Sequence, residues 1–559
     1  MPENCFNTVR ITISKAADAL LVSDSEMDLA VCATLSVIEA HLALRSLRAE
    51  NIPGFGQIAA LFLLNYALIK LYRVYLYPRY FSSLRHLPGP QDNNVAFGQE
   101  LNKFRAESPV GLQLDWSRRW PDAPFIRYIS IAGREALVVN SLAAHKAVLQ
   151  THVYDFVKPP FFARLVGEIT GVGLLFAEGE DHKRQRKLLA GPFSVPSMRK
   201  ILPVFQRSVK LLLKDLETAL GDDLHASIEV IDTLSKSATD NICLTVLGIE
   251  LNTMSSSFQK LYTRVLHQGP LGQLLSAVNA FVPIRSLVPL QANKQFIDAN
   301  KHLRQILREI IEKRKTDLIN GTFRKDIGES RDLLTYILEE SELQREQTGQ
   351  EPWSVNEIIG HLLNFTSAGH ESTANTVSWA LYVLSTNHKI QDRLRGEIQA
   401  LLESCAEPTY EDISGLPYLH NFVRETLRVY SPSFMSPRQA SKDLIIEGVR
   451  IPKGTQIDIH MPLMHHHKGI WGPDASSFDP DRNFAILEIK VMLIELVSKW
   501  RFLGIERWDY ETGNNESGRG GERELLVNGE EAVGKGVKLA NPSLTYRPAG
   551  GLLVRFERL

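Results

Sequence analysis

Ala368-Gly369-His370-Glu371-Ser372-Thr373 lies inside the run His361–Thr386, whose apolar residues recur at helical spacing. A glycine within a long helix costs roughly 1 kcal/mol against alanine, so Gly369 has a packing or a functional reason to be there. Two readings are open. A glycine beside an acid and adjacent hydroxyls can loosen the helix ladder and leave a groove with a proton-delivery chain. Alternatively, the helix packs closely against a neighbour at this point. Helical patterning continues outward in Met198–Leu216, Lys301–Lys315, Asn356–Thr386, Ile390–Leu402 and Leu419–Val429. Strand-like runs are short: Phe125–Ile131, Ala136–Val139, Leu444–Ile446 and Gln456–Ile459. The mixture predicts a mainly α body with a small β region.

Composition narrows the class. Of 559 residues, 44% are hydrophobic and 23% charged, which excludes a disordered chain. Lys+Arg 63 against Asp+Glu 64 leaves a net charge of −1, so no basic field draws nucleic acid to it. Cys5, Cys32, Cys243 and Cys405 show no CxxC spacing, which excludes the common zinc modules and a disulfide framework.

Near the N-terminus, Ile52–Ile69 reads IPGFGQIAALFLLNYALI, and Leu71–Tyr77 extends it with aromatics. With Lys70 and Arg73 snorkelling, this covers the ~20 residues that a membrane helix needs. A buried core helix is the rival. Lys70, Arg73, Arg79 and Arg85 follow, so the positive-inside rule puts the body on the cytoplasmic side. Leu29–Leu44, interrupted by Glu39 and His41, reads as a second membrane segment or, preferably, as an amphipathic surface helix. His86-Leu87-Pro88-Gly89-Pro90 forbids helix and central strand and makes a stiff hinge. The expected organisation is an extension at 1–51, a membrane anchor at 52–77, a Pro-rich hinge at 78–90 and a body at 91–559. Within the body, the Gly/Glu/Asn-rich stretch at 507–539 is expected to be a flexible insertion.

Downstream of the long helix, Glu425-Thr426-Leu427-Arg428 puts an acid and a base three apart on one helix face. Pro437-Arg438, Leu444–Ile451, Pro452-Lys453-Gly454-Thr455 and Phe478-Asp479-Pro480-Asp481-Arg482 follow in that order. From Leu87–Pro90 to Pro548–Leu553 the chain resembles the cytochrome P-450 monooxygenases, particularly fungal membrane-anchored ones. The resemblance implies a cytochrome P-450-like fold preceded by an N-terminal transmembrane helix. It makes Glu371 and Ser372 the catalytic proton-delivery residues of the central helix. Glu425, Arg428 and Arg482 resemble the family's buried Glu-Arg-Arg cluster. His182-Lys183-Arg184-Gln185-Arg186 matches its Trp-x-x-x-Arg helix with His for Trp, so His182, Arg186 and Arg438 are the cofactor-binding candidates for the haem propionates. A solvated basic face is the rival reading of Lys183–Lys187.

The same resemblance implies haem as cofactor, an NADPH-dependent reductase as partner and an apolar small molecule as substrate. That substrate would face Phe156–Phe162, Gln268–Leu275 and Pro432–Met435. It implies fungal secondary metabolism, and a single-pass location in the endoplasmic reticulum membrane. His465-His466-His467 invites a metal reading, but adjacent side chains cannot all point one way, and no metal ligand is assigned.

One departure concerns the central atom. The family holds haem iron through a Cys thiolate, in a loop ending Cys-x-Gly-x-x-Phe-Ala. Counting back from Phe484, the ligand position falls on Asp479 and the glycine position on Asp481. Both belong to the motif that should precede the loop. The loop is therefore missing between Arg482 and Asn483. Either a coding sequence has been misjoined, which is preferred, or the chain is a non-catalytic remnant.

Overall fold

The hairpin formed by Phe125–Ile129 and Glu135–Val139 organises one part of the chain. Phe125 pairs with Val139 and Ile129 with Glu135 in antiparallel register. The turn between them places Ala132 (φ 56°) and Gly133 (φ 71°) in the left-handed region. Val139, Leu137 and Ile126 are fully buried. The second strand then pairs in parallel with Gln456–His460, and the five-stranded sheet is completed by Met435–Ala440 and Phe156–Val157. A buried polar group stitches this sheet. Tyr128 Oη donates to Asp458 and accepts from Lys103 Nζ at 2.9 Å, while Gln456 Nε2 donates to Asp458 Oδ1 at 2.8 Å.

The computed structural model describes residues 32–37, 39, 55–106, 108–221, 227–249, 255–266, 268–281, 285–321, 331–350, 352–473, 475, 477–478, 480, 487–506, 525–526, 548 and 551–559. The chain divides into two compact units. One comprises 1–106, 111–157 and 437–460; the other comprises 107–110, 158–436 and 461–559. The expected insertion at 507–539 lies outside the described residues except for 525 and 526.

In the first unit the apolar run forms an α-helix over Phe55–Leu71 that continues in a wider turn through Tyr72–Phe81. Its 24 residues Ile58–Phe81 are long and apolar enough to cross a membrane. The helix outruns the expected end at Tyr77. The i→i+5 register of its last turns accommodates Pro78, whose carbonyl accepts from the Arg127 guanidinium. Arg127 Nε also donates to Glu135 Oε1 (2.6 Å), which accepts from Ser82 Oγ (2.7 Å). A Cβ on Gly133 would strike the Val74 backbone, so only glycine allows this approach. Pro88–Pro90 is neither helix nor strand; the Pro88 carbonyl accepts from Arg127 N–H at 2.8 Å, so this segment is hydrogen-bonded along the hairpin.

The second unit is built on the 32-residue helix Val355–Thr386. A reciprocal Ser354–Glu357 capping box starts it, with Glu357 Oε2 2.7 Å from Ser354 N. From Ala374 to Thr386 every residue is buried, as expected of a helix apolar all round. Trp379 stacks on Tyr430 with ring centroids 4.4 Å apart. In the helix Leu487–Lys499, residues Ile489–Ile494, Leu496 and Val497 are likewise buried, and the helix runs directly into the strand Trp500–Glu506. That strand pairs with Leu553–Arg558 and Leu525–Leu526, and Ser227–Glu229 completes a four-stranded sheet.

Candidate functional site

Pro417–Val429 is helical, with proline in its first turn, and its last turn carries Glu425 and Arg428. Both are buried, 1% and 5% exposed. Arg428 Nε and Nη2 each meet a Glu425 oxygen at 2.7 Å, a bidentate pair. The remaining three N–H groups donate to the carbonyls of His465 (2.5 Å), Ala475 (2.5 Å) and Ser477 (2.8 Å). All five guanidinium donors are thus satisfied, which is the condition under which a buried charge is tolerable. Trp471 lies 5.0 Å from the guanidinium carbon. Arg428 therefore binds together the turns that lead toward Arg482. Arg482 itself lies outside the described residues, as do 479, 481 and 483–486.

The three adjacent histidines diverge. Burial lowers the His465 pKa, and its carbonyl serves Arg428. His467 Nδ1 instead accepts from Gly469 N–H at 3.1 Å and caps a short turn. Among the described residues no group of three or more His, Cys, Asp or Glu is arranged to hold a metal ion.

Glu371, Ser372 and Thr373 are half-buried on the central helix, and Ser372 Oγ donates to the Ala368 carbonyl at 2.5 Å. The helix is unbroken across Gly369. A Cβ there would meet the Ile242 side chain, at the end of the helix Val230–Ile242. That contact supplies the packing reason. Next to it, His370 is 5% exposed, with Nδ1 3.2 Å from the Thr366 carbonyl and 3.4 Å from Tyr262 Oη. Burial holds the Tyr262 phenol protonated.

Sequence reasoning missed a second contact on this helix. A Cβ on Gly360 would collide with the Val172 carbonyl, so the backbones of 171–173 and the helix touch. Asn364 and His361 secure the approach. Asn364 Nδ2 donates to the Thr170 carbonyl (2.7 Å) and its Oδ1 accepts from Leu175 N–H (2.8 Å). His361 Nδ1 accepts from Leu174 N–H at 3.2 Å. Burial lowers the His361 pKa to about 4, so the ring is neutral and can accept. The glycines at 171, 173 and 360 were the available signal.

His182 and Arg186 lie one turn apart on Gly179–Leu188, His182 half-buried and Arg186 exposed. Between them Lys183 pairs with Glu180 (2.6 Å) and Arg184 with Asp181 (2.7 Å), as a solvated face would. Arg438 is half-buried on Met435–Ala440, in the first unit, with Nη1 2.9 Å from the Pro437 carbonyl.

The described sulfur donors do not fit a thiolate-ligated haem. Cys243 is fully buried among the core residues around Phe258, Tyr262 and Leu303. Burial, assisted by Asp240, pushes its thiol up to about 12, so it is protonated at neutral pH. Cys405 ends the helix His388–Ser404 and its Sγ donates to the Glu407 carbonyl at 3.2 Å. Cys32 precedes the apolar helix that begins at Phe55, and Cys5 lies outside the described residues. The scaffold around the site is present; its expected axial ligand is not among these side chains.

Known proteins share the scaffold. Cytochrome P450 monooxygenase sphH of Aspergillus fumigatus is 28% identical over 446 residues, 76% of this chain and 78% of that one. Cytochrome P450 monooxygenase FUM15 of Gibberella moniliformis is 29% identical over 432 residues, 73% and 70% of the two chains. Cytochrome P450 monooxygenase 128 of Postia placenta is 28% identical over 469 residues, 78% and 83%. Among solved structures, the cytochrome P450DA heme domain superposes with a TM-score of 0.65 at 18% identity, over 85% of this chain and 98% of that chain, which speaks to the fold. The sequence model of the cytochrome P450 family matches residues 125–485, well over half of the chain. By family its members are haem-dependent oxidoreductases, and this chain belongs to the cytochrome P450 family.

Proposed function

We propose that the chain is a membrane-anchored P450 monooxygenase of fungal secondary metabolism that acts on an apolar small molecule, and that its oxidative chemistry requires the Cys loop its sequence lacks after Arg482. The observation that carries this reading is the fully satisfied Arg428. A buried guanidinium is a liability unless every donor is engaged, and here its engagement organises the turns up to Ser477, five residues before Arg482. On either side of the junction the described chain reaches Phe478 and Pro480 and is helical over Leu487–Lys499. That the matched relatives are fungal P450 monooxygenases supports the monooxygenase part of this reading. In the same reading the body faces the cytoplasm from the endoplasmic reticulum membrane and takes electrons from an NADPH-dependent reductase. Glu371 and Ser372 are the proposed proton-handling groups; His182, Arg186 and Arg438 are the proposed propionate partners, and Arg482 joins Glu425 and Arg428.

The donor set favours a second reading for the chain as written: a membrane-anchored helical protein without oxidative activity. Carbon monoxide difference spectroscopy separates the two. The chain as written is expected to give no thiolate-haem band. Insertion of a family-like Phe-x-x-Gly-x-Arg-x-Cys-x-Gly loop at Arg482 is expected to produce one. A band from the unrepaired chain would show that another residue supplies the thiolate, and a repaired, folded chain without one would defeat the monooxygenase reading.

A further inference from the structure

The anchor helix has a companion. Residues 32–37 and 39 are helical and lie in the same unit. Asn65 Nδ2, within Phe55–Leu71, donates to Glu39 Oε2 at 2.8 Å and to Ser36 Oγ at 3.2 Å. Ser36 Oγ in turn donates to the Cys32 carbonyl at 2.5 Å, one turn back on its own helix.

The polarity of this contact is inverted relative to a helix pair in water. Ser36 is fully buried, and Glu39 and Asn65 are half-buried in the contact. Five large apolar side chains point away: Leu35 is 41% exposed, Val37 53%, Leu63 66%, Leu64 54% and Leu68 53%, while Ile58, Leu61, Phe62 and Ile69 are half-buried. Surface helices of soluble proteins turn their apolar stripe inward. In hydrocarbon the balance reverses. Outward leucines cost nothing against acyl chains, whereas a carboxyl or carboxamide must find a partner, and interhelical polar contacts supply it.

We infer that the helical residues 32–37 and 39 lie in the bilayer beside the anchor helix, as part of the second limb of a helical hairpin joined at Asn65, with lipid acyl chains covering their outward face. This replaces the amphipathic surface helix favoured by the sequence, and it rests on the membrane-anchor reading of Ile58–Phe81. The consequence is topological. One span puts the N-terminus and the catalytic body on opposite sides of the membrane; two limbs return them to the same side.

The test uses the full chain in sealed microsomes, tagged at both termini, with protease added outside. Loss of both tags without detergent is expected. Protection of the N-terminal tag while the C-terminal tag is digested would overturn the hairpin and leave the anchor intact. Release of the full chain by carbonate would overturn the anchor reading, and the hairpin with it. In the same full chain, Leu35→Trp is expected to add fluorescence that vesicles of acyl-brominated phosphatidylcholine quench relative to unbrominated ones. An unquenched Leu35→Trp signal in a carbonate-resistant chain would place that limb outside the hydrocarbon and overturn the inference.

Discussion

Glu425 shows how much one side chain can hold. It neutralises a guanidinium whose other donors gather three carbonyls from the 465–477 turns. Glu425→Ala leaves that cation buried and half-bonded, a change that typically costs ~3–5 kcal/mol. Chemical denaturation is expected to show that loss; an unchanged midpoint would reduce the pair to a local contact. His361 makes a second residue-scale prediction. Its folded pKa of about 4 lies below the ordinary 6.5, because burial disfavours the charged ring. The stability tied to this difference is fully present above pH 6.5 and is lost as pH falls toward 4. Protonation also removes the acceptor for Leu174 N–H. Melting temperature against pH is expected to fall through this window in the wild type and to flatten in His361→Gln. A variant as steep as the wild type would assign the acid loss elsewhere, His460 being the alternative, with its pKa also lowered to about 4 by burial.

Among the elements, the central helix is shaped by two glycines that differ in what they touch. At Gly369 an added methyl meets the flexible end of Ile242; at Gly360 it meets the rigid backbone of Val172. Alanine would gain roughly 1 kcal/mol of helix propensity at either site. Overpacking of a close contact typically costs ~1–3 kcal/mol. Gly360→Ala is therefore expected to destabilise clearly. Gly369→Ala should cost less and be relieved by Ile242→Ala in the double variant, read from a double-mutant cycle by denaturation. Equal costs with no relief would mean that the helix pair adjusts in another way. The glycine, acid and hydroxyls of Ala368–Thr373 invited the proton-delivery-groove reading, and Ile242, 127 positions away on another helix, supplied the packing contact. Periodicity announces a helix, but not what lies across from it.

For the whole molecule, the long apolar helix and the sheet hairpin are mechanically joined. Arg127, Glu135 and Gly133 hold Pro78, Ser82 and Val74. Deleting residues 1–71 is expected to release the chain from carbonate-washed membranes while leaving this bracket in place. Deleting 1–85 should release it too, but at a further cost in stability, since Arg127 loses the Pro78 carbonyl and Glu135 loses Ser82; differential scanning fluorimetry of the two truncations measures that difference. Persistence of the 72–559 chain in the washed pellet would locate membrane affinity outside the helix.

By itself, the sequence determined the mainly helical plan with its small sheets, the Glu425–Arg428 pairing by its three-residue spacing, and the absence of the Cys loop. These are legible because helix faces and covalent order are local: two residues three apart on a helix share a face within reach of each other, and no fold can supply a Cys loop that the chain does not contain. Tertiary structure alone decided the contact of Gly369 with Ile242, the clamp of His361 and Asn364 on 170–175, the extension of the apolar helix past Pro78, and the partnership of Asn65 with Ser36 and Glu39. Leu174 and His361 stand 187 positions apart, and Ser36 and Asn65 stand 29 apart. Contacts across such distances depend on which surfaces the folded backbone brings together, and no periodicity within either segment encodes them.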